Sequence, residues 1–424
     1  MIQRPKGTYD VYGDYGKKLK YIEELFTSLM DKYNYEYFRT PIFEASNLYH
    51  RGVGETTDIV TKETYDFKDR GDRDMTLRPE GTAGIVRSYI ENKLYGEQSI
   101  VKAWYYGPNF RYERPQSGRF REFYQFGCEV FGSSDASVDA EIISIPVMIY
   151  KLLGLKGVKV NINSLGDKES RDKYHDALIE YFKPYINDLC EDCKSRFLKN
   201  PLRILDCKID SNKEIFKNAP KIIDYLNEES KKHFEDLQKY LKALDIEYVI
   251  NPNLVRGLDY YTHTVFEVEA EIEGFGSQNV LCGGGRYDNL VENLGGPKTS
   301  GVGFAMGLER LMNALKCENI KLHIHNDIDV YVIPMDAKDY AFNLCMNLRL
   351  NGFKVEMDYN NRNLKNNFKQ ADKLNSQFVI IIGSEEADTD IITIKNNHTK
   401  ESFKVKKEDL IEFLDENLEG CDCV

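Results

Sequence analysis

The sequence predicts an α+β protein: a mostly antiparallel sheet domain, interrupted by a helical segment and followed by a small α/β domain. Three observations carry this. Strand-like stretches follow one another through the first third of the chain, with helical patterns before and after, as in an α+β sheet domain. Residues 168–245 then turn rich in Lys, Asp, Glu, Leu and Tyr in helical patterns. The last hundred residues alternate strand and helix, the pattern of a mostly parallel sheet.

The elements follow in order. Leu19, Ile22, Leu25, Phe26, Leu29 and Met30 recur at helical spacing and predict a helix over 16–33. Residues 36–40 read as a strand that stops at Pro41, which cannot donate to a ladder. A hairpin follows, with strands 64–67 and 75–77 around Arg70-Gly71-Asp72. Strands over 100–106 and 122–131 flank an arginine-rich turn. After the helical segment, strand signals return at 246–250 and 262–270. Residues 276–315 predict a strand, a glycine turn, a second strand and a helix. A polar connector leads to elements at 328–334, 338–350, 353–358, 363–374 and 377–383. The domain division is therefore 1–167 with 246–322, the insertion 168–245, and 327–424.

Composition bounds the function. The 424 residues suffice for two or three domains, and 42% apolar against 30% charged residues supply a core. No apolar run approaches the ~18 residues of a membrane helix, and the N-terminus lacks the apolar centre of a signal peptide, so a soluble cytoplasmic protein is expected. With 57 Lys and Arg against 69 Asp and Glu, the net charge is −12, which excludes a general nucleic-acid coat but not a local basic face. The nine cysteines read as reduced thiols. Cys190, Cys193 and Cys207 could supply three zinc ligands, but His175, His233 or a carboxylate would have to be the fourth, and none sits at finger spacing. They are taken as structural or incidental, with no dedicated metal site, and Cys421-Asp422-Cys423 as a frayed end.

Motif searches give negatives first. Neither a phosphate-binding G-x-x-x-x-G-K-[ST] loop nor a dinucleotide fingerprint is present, and Gly283-Gly284-Gly285 reads as a tight turn or a close backbone approach. There is no H-E-x-x-H and no nucleophile elbow. The segment from Phe110 to Gln125 differs, because it carries Arg111, Arg114, Arg119 and Arg121 beside an aromatic strand. Such density suits planar phosphate recognition, and an aromatic ring beside it can stack on a base.

These residues resemble the motifs of class II aminoacyl-tRNA synthetases. The helix and strand ending at Pro41 resemble the dimer-forming motif 1. Phe110-Arg111-Tyr112-Glu113 with Arg119 and Phe123 resembles motif 2, and Gly301-Val302-Gly303-Phe304 through Leu308-Glu309-Arg310 resembles motif 3. Arg256-Gly257-Leu258-Asp259-Tyr260-Tyr261 and Gly283-Gly284-Gly285-Arg286-Tyr287-Asp288 are similar to two peptides peculiar to the histidyl-tRNA synthetases, as are Leu77-Arg78-Pro79-Glu80-Gly81-Thr82 and Pro5-Lys6-Gly7-Thr8-Tyr9-Asp10. The resemblance spans essentially the whole chain. It implies a class II antiparallel catalytic domain with a helical insertion and a C-terminal anticodon-binding domain. It also implies a homodimer that joins L-histidine to AMP and passes it to the 3′ end of tRNA(His), with Mg2+ carried in on ATP.

The resemblance assigns roles residue by residue. Arg111 and Arg256, the catalytic pair, flank the α-phosphate, and Arg119 and Arg310 hold the outer phosphates. Phe123 stacks on adenine and Glu113 accepts from its amine. For the amino acid, Glu129 can accept from a ring N–H, and a hydroxyl of Tyr260 or Tyr261 can meet the other nitrogen. Glu80, Thr82 and Gln125 offer acceptors to the α-ammonium, with Gly81, Arg111 and Arg256 beside them. For Arg256 the bland alternative is an ion pair with Asp259. His263 reads as a strand residue. Gln116 and Arg121 are candidates for tRNA contact, together with Lys365, Lys369 and Lys373, which fall on one helix face at i+4 spacing. Two rivals are weighed: a non-catalytic, histidine-binding regulatory subunit of ATP phosphoribosyltransferase, and a related synthetase for proline, threonine or glycine. The arginine set and the final domain speak against the first, and Glu129 with the RGLDYY peptide against the second.

Overall fold

The computed structural model describes residues 2–54, 57, 59–115, 118–205, 207, 209–210, 213–275, 279–322, 324 and 328–418. The chain forms two compact units, Met1–Leu322 and His323–Val424.

The first unit is built on an eight-stranded sheet in the order β1-β5-β6-β11-β10-β9-β7-β8. Its strands are β1 (Glu36–Tyr37), β5 (Val101–Phe110), β6 (Glu122–Phe131), β7 (Val158–Ser164), β8 (Tyr248–Ile250), β9 (Thr262–Ala270), β10 (Val280–Arg286) and β11 (Gly301–Gly307). The central pairs from β5 to β7 are antiparallel, whereas β1 joins β5 and β8 joins β7 in parallel. A second sheet, ordered β2-β4-β3, comprises β2 (Phe43–Ala45), β3 (Tyr65–Lys68) and β4 (Asp74–Leu77) and contains the expected hairpin.

Period-two alternation gives the main sheet two unlike faces. Phe126, Cys128 and Val130 of β6 and Val302, Phe304 and Met306 of β11 are buried in one apolar core with the helices Gly13–Lys32 and Ala136–Leu152. Phe26 stacks on Phe126 with ring centroids 4.1 Å apart. The intervening residues, Phe123, Gln125 and Glu129 on β6 and Gly303, Ala305 and Gly307 on β11, face the other side. Register sets them side by side, Glu129 opposite Gly303 and Gln125 opposite Gly307.

Two sequence expectations change here. The strand over 36–40 shrinks to two ladder residues, because Arg78 Nη1 donates to the Thr40 carbonyl at 3.1 Å and Pro41 has no amide to continue the pairing. The glycine run 283–285 is the interior of β10 and not a turn. Its other reading, a close backbone approach, holds: a Cβ on Gly284 would lie 2.2 Å from the Gly303 carbonyl oxygen.

The described residues of 168–245 form helices joined by turns. Lys168–Phe182 and Glu191–Lys199 share a small apolar cluster with Phe216 and Ile222. Helix Glu228–Ala243 instead buries Phe234, Leu237 and Leu241 in the core of the main sheet. Asp167 and Asn227 cap the first and last of these helices by accepting from the amides of Ser170 and Ser230.

The second unit has a sheet ordered β13-β12-β14-β15-β16, from β12 (Val330–Pro334), β13 (Val355–Met357), β14 (Phe378–Ile382), β15 (Ile391–Asn396) and β16 (Ser402–Lys406). The first three strands are parallel, joined by helices Lys338–Leu350 and Leu364–Lys373, and the last two are antiparallel. No helix among the described residues is long and apolar enough to cross a membrane.

Candidate active site

Above the open face of the main sheet lies a cleft of about 720 Å³. Its floor is bare because β10 and β11 present Gly283, Gly303, Ala305 and Gly307 where other strands carry side chains. The bareness is enforced. A Cβ on Gly303 would fall onto Glu129 Oε2, and one on Gly283 would fall 2.3–2.6 Å from the Arg256 guanidinium.

One end of the cleft is a buried carboxyl pocket. Glu129, 1% exposed, accepts from Thr82 Oγ1 at 2.7 Å, the Tyr105 hydroxyl at 3.1 Å and the Tyr287 hydroxyl at 2.5 Å. Burial pushes its pKa up to about 8, and the Glu80 charge adds to the rise against the three hydroxyl bonds. Glu80, also raised by burial, accepts from the amides of Thr82 and Ala83 and so holds the start of helix Thr82–Glu91. Gly81 lets the Tyr105 ring pass, since a Cβ there would lie 2.2 Å from it. The rings of Tyr260 and Tyr261, centroids 4.7 Å apart, are buried beside this pocket. Burial pushes the Tyr261 hydroxyl up to about 12.

The other part is cationic. Arg111 Nε donates to the Pro79 carbonyl at 2.8 Å, and its guanidinium lies 5.2 Å from the Phe123 ring centroid. Arg119 pairs with Glu113 at 2.8 Å. Arg310 Nη1 donates to the Val280 carbonyl at 2.8 Å, and burial together with the charges of Arg119, Arg111 and Arg256 lowers its pKa. Arg256 pairs with Glu267 on β9 and not with Asp259. Asp259 is bound by Arg203 Nε at 3.0 Å.

Most residues singled out from the sequence therefore meet. Glu80, Thr82, Arg111, Glu113, Arg119, Phe123, Gln125, Glu129, Arg256, Tyr260, Tyr261 and Arg310 all line the cleft. Gly81 sits just behind it. Arg121 does not line it; its guanidinium stacks over the Tyr112 ring at 3.8 Å. His263 lies in β9 outside the lining. Gln116 and Cys421–Cys423 fall outside the described residues. Lys365, Lys369 and Lys373 are exposed on helix Leu364–Lys373 of the second unit.

Sequence reasoning missed Tyr105 and Tyr287 around Glu129, Glu267 behind Arg256, and Glu309, which lines the cleft and accepts from the Tyr9 hydroxyl and the Tyr124 amide. A signal existed for two of them. Tyr287 lies in the Gly283–Asp288 motif and Glu309 in the Gly301–Arg310 motif, whereas Tyr105 and Glu267 are marked only by alternation along their strands.

An antiparallel sheet with a glycine floor, flanked by an arginine-bearing strand pair and a strand running into a helix, is the arrangement of a class II aminoacyl-tRNA synthetase. The histidyl-tRNA synthetase family model matches residues 7–311, and an anticodon-binding-domain model matches residues 329–417. The chain is 50% identical to a histidine–tRNA ligase of Bacillus cytotoxicus over 98% of this chain and 99% of that one. It is 50% identical to that of Oceanobacillus iheyensis over 99% and 98%. The crystal structure of apo S. aureus histidyl-tRNA synthetase superimposes with a TM-score of 0.84 at 44% identity, covering 98% of this chain and all of that one. The chain belongs to the histidyl-tRNA synthetase family.

Proposed function

We propose that this protein is a histidine–tRNA ligase that uses the cleft for both half-reactions. The observation that carries the reading is the meeting, in one cleft, of the Glu129 pocket with Arg111, Arg119, Arg256 and Arg310. A ring-nitrogen acceptor beside a phosphate clamp suits an amino acid with a nitrogenous ring and a nucleoside triphosphate.

In the first step a carboxylate oxygen of histidine attacks the α-phosphorus of ATP, and the bond to the bridging oxygen breaks to release pyrophosphate. The substrate is its own nucleophile, so the protein supplies alignment and positive charge where charge gathers. Arg111 and Arg256 serve the α-phosphate, held in aim by the Pro79 carbonyl and by Glu267. Arg119 and Arg310 serve the outer phosphates. Phe123 and Glu113 receive the adenine. Glu129, Tyr260 and Tyr261 read the imidazole, with Glu80, Thr82 and Gln125 on the ammonium side. In the second step the terminal ribose of tRNA(His) attacks the acyl carbon and AMP leaves.

Mg2+ would enter on the ATP phosphates and neutralise their charge. No dedicated protein cage is proposed for it, because Mg2+ keeps its waters and phosphate ligands. Residues 1–167 with 246–322 form the catalytic core in this reading, 168–245 the insertion and 327–424 the anticodon-binding domain. Lys365, Lys369 and Lys373 contact tRNA there, with Gln116 and Arg121 at the acceptor end. The chain acts as a homodimer, and its free cysteines suit the cytoplasm. The test is amino-acid-dependent pyrophosphate exchange across the twenty amino acids. Histidine alone should support it; activity with proline, threonine or glycine, or with none, overturns the reading.

A further inference from the structure

Away from the cleft, the helical segment carries a second constellation. Cys190, Cys193, Cys207 and Asp210 converge so that one ligand atom of each lies within 4.8 Å of the others. Cys193, Cys207 and Asp210 are buried and Cys190 is half-buried. They form two pairs of identical spacing, Cys-x-x-Cys at 190–193 and Cys-x-x-Asp at 207–210. Neither His175 nor His233 belongs to the cluster; the fold supplies a carboxylate as the fourth group.

The geometry points to a metal and not to a disulfide. The Cys190 and Cys207 sulfurs are unbonded and 3.7 Å apart. A tetrahedral zinc ion with bonds of ~2.3 Å to sulfur places two sulfurs about 3.8 Å apart. A disulfide would use two of the thiols and leave the third, with Asp210, buried to no purpose. Three sulfurs and one oxygen favour Zn2+ over Mg2+ or Ca2+, which take oxygen ligands.

A supporting shell is present as well. Asp210 Oδ2 accepts from the Cys190 amide at 2.8 Å, and Oδ1 pairs with Lys213 at 2.7 Å. The Asp210 amide in turn donates to Cys207 Sγ at 3.4 Å. Such outer bonds orient ligands before the ion arrives. Cys190 also stands at the N-cap position of helix Glu191–Lys199, where thiolates are favoured by the helix dipole.

We propose that Cys190, Cys193, Cys207 and Asp210 bind one structural Zn2+ in the helical segment. The ion binds the thiolates, so loading releases thiol protons to solvent. It would join the start of helix Glu191–Lys199 to the turn after Ile204, stapling a cluster whose own apolar core is small. Arg203, just before that turn, holds the peptide of Arg256 through Asp259 at 3.0 Å and the Gly257 carbonyl at 2.9 Å. The ion thereby braces one support of the active site.

The test uses the full-length protein, purified reduced and without a metal-binding tag. Elemental analysis should find about one zinc per chain after gel filtration, and about one zinc should be released on thiol modification. Metal-free reduced protein titrated with Co2+ should develop thiolate-to-cobalt charge transfer and tetrahedral d–d absorption, saturating at one equivalent. Cys193→Ser should abolish both signals, while Cys317→Ser, outside the cluster, should keep them. If Cys193→Ser does not fold, the cobalt titration of the unmutated chain decides. Substoichiometric zinc with no cobalt–thiolate bands, a Cys190–Cys207 disulfide in freshly purified protein, or zinc retained by a folded Cys193→Ser overturns the proposal.

Discussion

The Tyr287 hydroxyl donates to Glu129 Oε2 at 2.5 Å, although the two residues lie 158 positions apart in the chain. With Thr82 and Tyr105 on the other oxygen, Glu129 accepts from three hydroxyls and is buried, yet its pKa stands near 8 because desolvation outweighs them. Below that pH the carboxyl is mostly neutral before histidine binds.

That proton makes histidine binding pH-dependent. A ring N–H donated to Glu129 favours the carboxylate, so binding expels the proton and affinity rises with pH up to about 8. The free ring is neutral above ~6.5, which sets the window at roughly pH 6.5–8. Calorimetric titration at pH 7 in buffers of different ionisation enthalpy should show net proton release in the unmutated protein. Glu129→Gln should release none and lose ~1.5–3 kcal/mol of histidine affinity. Affinity independent of pH in the unmutated protein would remove Glu129 from the reading.

Arg256→Ala should slow adenylate formation by roughly 10²–10³, with a smaller effect on histidine binding, as for loss of one preorganised donor. Gly283→Ala gives a subtler probe. Its methyl would press first on the tip of the flexible Arg256 side chain, so the fold should survive while the guanidinium shifts. Misplacement on the scale of 1 Å costs up to ~10²-fold. Rapid-quench measurement of adenylate formation, with circular dichroism to verify the fold, checks both. A Gly283→Ala protein of unchanged rate would show that Arg256 acts without fixed aim.

Ending the chain at Leu322 removes the second unit and its exposed lysines. Histidine-dependent pyrophosphate exchange should persist, because the candidate residues for small substrates all lie between Glu80 and Arg310. Aminoacylation should fall much further, since tRNA loses one of two separated contacts and the effective concentration it confers. Equal loss of both activities would mean that the second unit does not bind tRNA.

Tyr37 and Phe43 are each 53% exposed on short strands around Pro41. An unpaired edge with exposed aromatics calls for a cover, and a second copy of the chain is the expected one. Light scattering at micromolar concentration should give a dimer. A fully active monomer would show that the cover is something else.

Much of this protein is legible along the chain. Alternation over 122–131 determines that Phe123, Gln125 and Glu129 share a face, and helical spacing over 16–33 determines the buried stripe of the first helix. What only the tertiary structure decided is which residues become neighbours across strands. Arg256 meets Glu267 instead of the adjacent Asp259, Glu129 meets Tyr105 and Tyr287, and the three cysteines find Asp210. Periodicity encodes the side of an element on which a residue lies. Ladder register and helix packing set what stands opposite, and those depend on contacts between segments that no local pattern records. The glycine run shows the same limit: its lack of side chains is written in the sequence, but the need for bare backbone arises only where β10 passes beneath Arg256 and beside β11.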